Sequence, residues 1–171
     1  MKRRGMLLIG AAVLMFAAII LASGCGMLVQ KGVESATGVK VDSNSGKVTV
    51  QGKNGGTVTT QEGKLPDGLP VGFPVYEGTV KLGNKVETAN STTFQMVIET
   101  PDDAKTVGDW YASKLKEAGW TIDARNDVTT NGKSITTIST KSGEKMQAMI
   151  IAGESADNST NSVNITLNVK P

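Results

Sequence analysis

The residues that could do chemistry are few. The chain of 171 residues contains no histidine, which removes the commonest general base and metal ligand. Its one cysteine, Cys25, is the only thiol nucleophile. Serine and threonine abound, but none lies in the Gly-x-Ser-x-Gly turn that exposes a nucleophile. Asp102 and Asp103 form a carboxylate pair, and adjacent acids at a helix start read as capping charge rather than as an acid/base couple. Asp42-Ser43-Asn44-Ser45-Gly46 opens like a calcium loop. Its fifth position is missed, however, and its twelfth is Lys53 where a bidentate Glu is needed, so a hairpin turn is the better reading. Asn90-Ser91-Thr92, Asn158-Ser159-Thr160 and Asn164-Ile165-Thr166 match the glycosylation pattern, in a chain where Asn and Thr are common in strands. No catalytic residue, metal or non-covalent cofactor is expected, and no enzyme.

What remains is the position of Cys25. Lys2, Arg3 and Arg4 form a positive start, residues 6–23 carry no charge, and the run ends in Ala22-Ser23-Gly24 directly before Cys25. Small residues at the end of an apolar run are what a signal cleavage site requires. The stretch Leu21-Ala22-Ser23-Gly24-Cys25 resembles the lipobox of prokaryotic lipoproteins. That resemblance implies cleavage between Gly24 and Cys25 and a diacylglycerol linked to the Cys25 sulfur. Two acyl chains hold a protein on a membrane where one does so only marginally. The alternative is an uncleaved single span, because 18 uncharged residues approach the length that crosses a bilayer. Both place the rest of the chain on the extracytoplasmic side of the cell membrane.

Charge follows from this division. The whole chain has 18 basic and 16 acidic residues, but three of the basic ones precede Cys25 and the remainder carries a net charge of −1. No block of like charge is left to attract nucleic acid. With Cys25 acylated no disulfide can form, so the fold must rest on its core.

The elements downstream have legible periods. Residues 25–38 read as a lipidated tether broken by Gly26, Gly32 and Gly38. Residues 39–63 read as a small β-meander: Val39 and Val41, Val48 and Val50, then Val58, separated by Ser45-Gly46 and Asn54-Gly55-Gly56. It has little to bury and needs a surface to lean on. Pro66, Pro70 and Pro74 then stiffen an extended crossing whose apolar residues, from Leu65 to Tyr76, should lie on the domain that follows. In that domain, residues 64–171, Val80 and Leu82 alternate in one strand and Phe94, Met96 and Ile98 in the next. Thr100 reads as a helix cap with Pro101 in the first turn, followed by a stripe of Ala104, Val107, Tyr111, Leu115 and Ala118 that stops at Gly119. Four more strands follow, with turns at Asn131-Gly132 and Ser142-Gly143 and a polar loop over residues 154–162. The order β-β-α-β-β-β-β with hairpin-length links predicts an α+β fold, an antiparallel sheet with one helix on one face.

The Leu-Pro pair, Phe73-Pro74-Val75-Tyr76-Glu77-Gly78 and Trp110-Tyr111-x3-Leu115-x3-Gly119-Trp120 resemble a group of uncharacterised prokaryotic surface lipoproteins over about residues 36–169. The resemblance implies the same fold and location and carries no activity. The functional expectation is therefore a non-enzymatic interaction or structural module of the cell envelope, anchored to the membrane and facing an envelope protein or polymer. The alternative is a carrier of a small apolar ligand between helix and sheet. Trp110, about 100° around the helix from Tyr111 and flanked by Asp103 and Lys114, is the candidate binding residue.

Overall fold

A computed structural model describes residues 40–44, 47–52, 55–154 and 160–171. The segments expected to be signal and tether, with Gly24 and Cys25, lie outside the described residues. Among the described residues no helix is long and apolar enough to cross a membrane.

Residues Lys40–Pro171 form one compact unit. Its strands are β1 (Lys40–Asn44), β2 (Lys47–Gln51), β3 (Thr57–Glu62), β4 (Thr79–Glu87), β5 (Thr92–Thr100), β6 (Thr121–Thr130), β7 (Lys133–Ser142), β8 (Met146–Glu154) and β9 (Asn161–Val169), with helix α1 (Ala104–Glu117) between β5 and β6. All pair antiparallel in a single nine-stranded sheet ordered β1-β2-β3-β4-β5-β9-β8-β7-β6. The α+β class and the strand–helix order match the expectation from periodicity. The chain climbs from β1 to β5, crosses by α1 to the far edge, and returns through β6, β7 and β8 until β9 closes on β5.

The meander of residues 39–63 leans on an edge rather than on a face. Val58 pairs with Val86 and Gln61 with Gly83, so β3 continues the main sheet through β4. Backbone hydrogen bonds do this work, since side chains of β2 and β3 are mostly half-buried and only Gln61 is buried.

One face of the sheet is covered by two different devices. Helix α1 lies over β6, β7 and β8. Val107, Tyr111 and Leu115 are fully buried against a sheet layer that includes Ile138, Ile150, Ile165 and Leu167. The helix approaches closely at Gly108, where a Cβ would meet the Thr136 methyl at 2.5 Å. Its amino end differs from the sequence reading. Asp103, not Thr100, is the cap, and its carboxylate accepts from the Thr106 backbone N–H at 2.7 Å. Thr100 is buried at the end of β5, paired with Asn161 of β9, so it is spent on the sheet and the helix starts later. The carboxyl end is as expected. Gly119 takes φ 79°, and the N–H groups of Gly119 and Trp120 donate to the carbonyls of Lys116 and Leu115 at 3.0 and 2.8 Å.

The proline-rich segment, residues 63–78, covers part of the same face beside β3–β5. Gly83 of β4 admits it: a Cβ there would collide with the Lys64 carbonyl and with Pro66. Pro66 and Phe73 are buried, Leu69, Val75 and Tyr76 pack on the core, and Phe73 meets Trp120 edge-on at 5.3 Å. Val71 departs from the apolar reading. It stands fully exposed in a turn whose Gly72 takes φ 85° and whose Phe73 N–H donates to the Pro70 carbonyl at 3.2 Å.

The other face is rich in Thr, Ser and Asn, with Thr93, Thr137, Thr166 and Asn168 alternating with buried residues. It also carries Ile135, paired with Val128, and Met149, all partly exposed.

Candidate functional site

The proline-rich segment, a strap over residues 63–78, meets the helix at a seam, and the seam is concave. A groove of about 430 Å3 is lined by Tyr76, Glu77 and Gly78 from the end of the strap, by Thr100, Pro101 and Asp102 from the β5–α1 connection, and by Trp110 from the helix. That volume lies in the range of small-molecule sites, about 300–1,000 Å3.

Each wall is held in place by an identifiable contact. Gly78 is forced by packing, because a Cβ would collide with the Glu99 carbonyl and the Ile98 side chain. Tyr76 is fixed at both ends. Its backbone N–H donates to the hydroxyl oxygen of buried Tyr111 at 3.1 Å, and its own hydroxyl donates to Asp102 Oδ2 at 2.7 Å. The same Oδ2 accepts from Thr100 Oγ1 at 3.2 Å, while the Asp102 N–H donates back to Thr100 Oγ1 at 3.2 Å. Trp110 stands nearly perpendicular to Tyr76, with centroids 5.0 Å apart and planes at 78°, and edge-on to Tyr111 at 4.9 Å. Burial pushes the Tyr76 phenol up to about 12, with the Asp102 carboxylate adding to the shift. Burial likewise pushes the Tyr111 phenol up. Both phenols therefore remain neutral across the physiological range.

The arrangement presents groups that can bind a ligand. The groove is lined by two aromatic residues and two acidic ones, while the Thr100 hydroxyl is engaged with Asp102. Among the described residues no group of three or more Cys, Asp or Glu side chains could hold a metal ion.

Trp110, proposed from its place beside the helix stripe, is half-buried and lines the groove. Asp102 and Asp103, read together as capping charge, have separate duties: Asp103 caps, and Asp102 holds the Tyr76 hydroxyl. Asp42 and Asn44 of the weighed calcium loop lie in β1, while Ser45, Gly46 and the side chains of that segment fall outside the described residues. Sequence reasoning missed Tyr76 and Glu77 as site residues, having read Tyr76 as one more apolar contact of the crossing. The available signal was an aromatic-acid-glycine triplet beginning two residues after Pro74, where the stiff segment has to end against something.

A family model described as START domain-like matches residues 82–161, less than half of the chain. The matched stretch runs from within β4 to the first residue of β9 and includes α1, and so contributes Thr100, Pro101, Asp102 and Trp110 to the groove. Tyr76, Glu77 and Gly78 precede it. No curated protein matches the chain.

Proposed function

We propose that this protein is a lipid-anchored, extracytoplasmic binding module whose ligand seat is the groove between Tyr76 and Trp110. One observation carries the binding half of this reading: two aromatic walls and two carboxylates converge on a concavity of about 430 Å3, the default form of a small-molecule site. The similarity to the START domain-like family favours ligand binding over a purely structural role. The seat differs from that of an apolar carrier with its ligand between helix and sheet, because Val107, Tyr111 and Leu115 occupy that interface themselves. The anchoring half rests on the Cys25 sequence alone.

The two halves are tested separately. Intact mass of the membrane fraction should give a species beginning at diacylglyceryl-Cys25, and an uncleaved form starting at Met1 would instead establish the single-span alternative. A thermal-shift screen of charged and neutral small molecules should find ligands that raise the Tm of the wild type and not of Trp110→Ala, since binding to the native state alone stabilises by mass action. Ligands that raise both equally, or none that raise either, would remove the groove as the seat.

A further inference from the structure

Given the groove as the seat, we infer that its ligand is a small organic cation, an alkylated ammonium ion with an apolar body. The lining residues that carry charge are Glu77 and Asp102, both acidic, and none is basic. The other large side chains are the rings of Tyr76 and Trp110, in edge-to-face contact at 5.0 Å with their planes at 78°. Aromatic faces attract cations through the ring quadrupole, tryptophan most strongly, and carboxylates at the rim add a longer-range term. An anion would meet repulsion from both carboxylates, and a neutral apolar molecule would gain nothing from them.

Two further features fit this charge. The Tyr76 hydroxyl donates to Asp102 at 2.7 Å, which polarises the phenol toward its oxygen and makes the ring a better partner for positive charge. The neighbouring amino end of α1 would oppose a cation through its dipole, but Asp103 caps it and supplies a compensating negative charge. An inorganic cation suits the site poorly, because only two carboxylates line it and aromatic walls give a hard ion no oxygen ligands.

The test uses three probes: benzyltrimethylammonium, its neutral isostere with carbon in place of nitrogen, and benzoate as a smaller aromatic anion. Binding to the mature protein is followed by calorimetry and by tryptophan fluorescence. The cation should bind about tenfold or more tightly than the isostere, with benzoate weakest, and the gap should narrow as added salt screens the carboxylates. Glu77→Gln, a change at an exposed position, should narrow the gap at unchanged Tm. Asp102→Asn should also narrow the gap, but with a lowered Tm because it weakens the bonds from Tyr76 and Thr100, and Tyr76→Phe, which releases the Asp102 carboxylate without removing it, separates loss of charge from loss of positioning. Equal affinity for the cation and the isostere would overturn the cation inference and leave the groove reading standing. No binding of any probe at millimolar concentration would overturn the cation inference too, while the wider screen above judges the groove itself.

Discussion

The two halves of the covered face are built on opposite plans. Over β6–β8 the cover is a helix whose stripe repeats every three or four residues, so packing follows from period. Over β3–β5 the cover is a strap with no period, shaped by Pro66, Pro70 and Pro74 and admitted by Gly78 and Gly83, where a side chain would collide with backbone. A repeating element can fill its interface completely. An irregular one meets its neighbour at a few fixed points and leaves a gap between them. The groove lies at that join, which explains why its lining comes from three segments and why no one segment announces it.

The largest expected effect tests the helix side. Leu115→Ala, at a fully buried position, should destabilise by about 2–5 kcal/mol. Trp110→Ala, half-buried and held by two edge-on ring contacts, should cost less, about 1–2 kcal/mol. Denaturant melts of the two variants compare them directly. Equal large losses would make Trp110 a core residue and erase the contrast between filled interface and open seam.

The next effect tests the tie between the halves. Tyr111→Phe keeps the ring in the core and removes the oxygen that accepts the Tyr76 N–H. Leaving that donor unpaired should cost about 1–3 kcal/mol, and hydrogen exchange at the Tyr76 amide should accelerate more than at amides inside α1. Unchanged exchange at Tyr76 would show that the strap is held by its apolar contacts without this bond.

A smaller change is expected from trimming the outer strands. A fragment of residues 64–171 keeps the strap, the helix and every buried apolar side chain. It should retain a cooperative thermal transition with a Tm lowered by only a few degrees. It should also self-associate, because the loss of β3 bares the nine-residue edge of β4. A molten fragment would mean that β1–β3 stabilise the strap side far more than the half-buried residues of β2 and β3 suggest.

These contrasts follow the line between what was legible in the sequence and what was not. The stripe of Val107, Tyr111 and Leu115, the Gly119 stop and the Asn131-Gly132 hairpin were readable because each is a local side-chain or φ requirement. Asn131 and Gly132 indeed take φ 53° and 77°. The helix start was misread by three residues because Thr100 and Asp103 are equally good caps in isolation, and only the pairing of β5 with β9 claims Thr100 for the sheet. The union of β3 with β4 was invisible because backbone pairing carries no side-chain signature. Of the groove, Trp110 was found from helix geometry, while Tyr76 and Asp102 could be joined only by the fold, 26 residues apart in the chain and 2.7 Å apart in space.

The subtlest prediction reads the seam through its two phenols. Tyr76 and Tyr111 are the only tyrosines in the chain, so the ultraviolet absorbance of tyrosinate reports on the strap and the helix and on nothing else. Unfolded, both should ionise near pH 10. Folded, burial raises both, Tyr76 to about 12 and Tyr111 as well. A phenol whose pKa is raised by folding adds stability while it stays protonated, so that contribution is complete below pH 10 and is lost as the pH rises toward 12. The folded protein should therefore show almost no tyrosinate at pH 10, and base unfolding should release both signals together. Asp102→Asn should lower the Tyr76 step and leave Tyr111 where it is, because the carboxylate raises only the phenol that donates to it. A tyrosine that titrates near pH 10 in the folded wild type would place the Tyr76 hydroxyl in open water. The seam would then be a loose contact between two covers, and the corner that Tyr76 forms with Trp110 would not be held for a ligand.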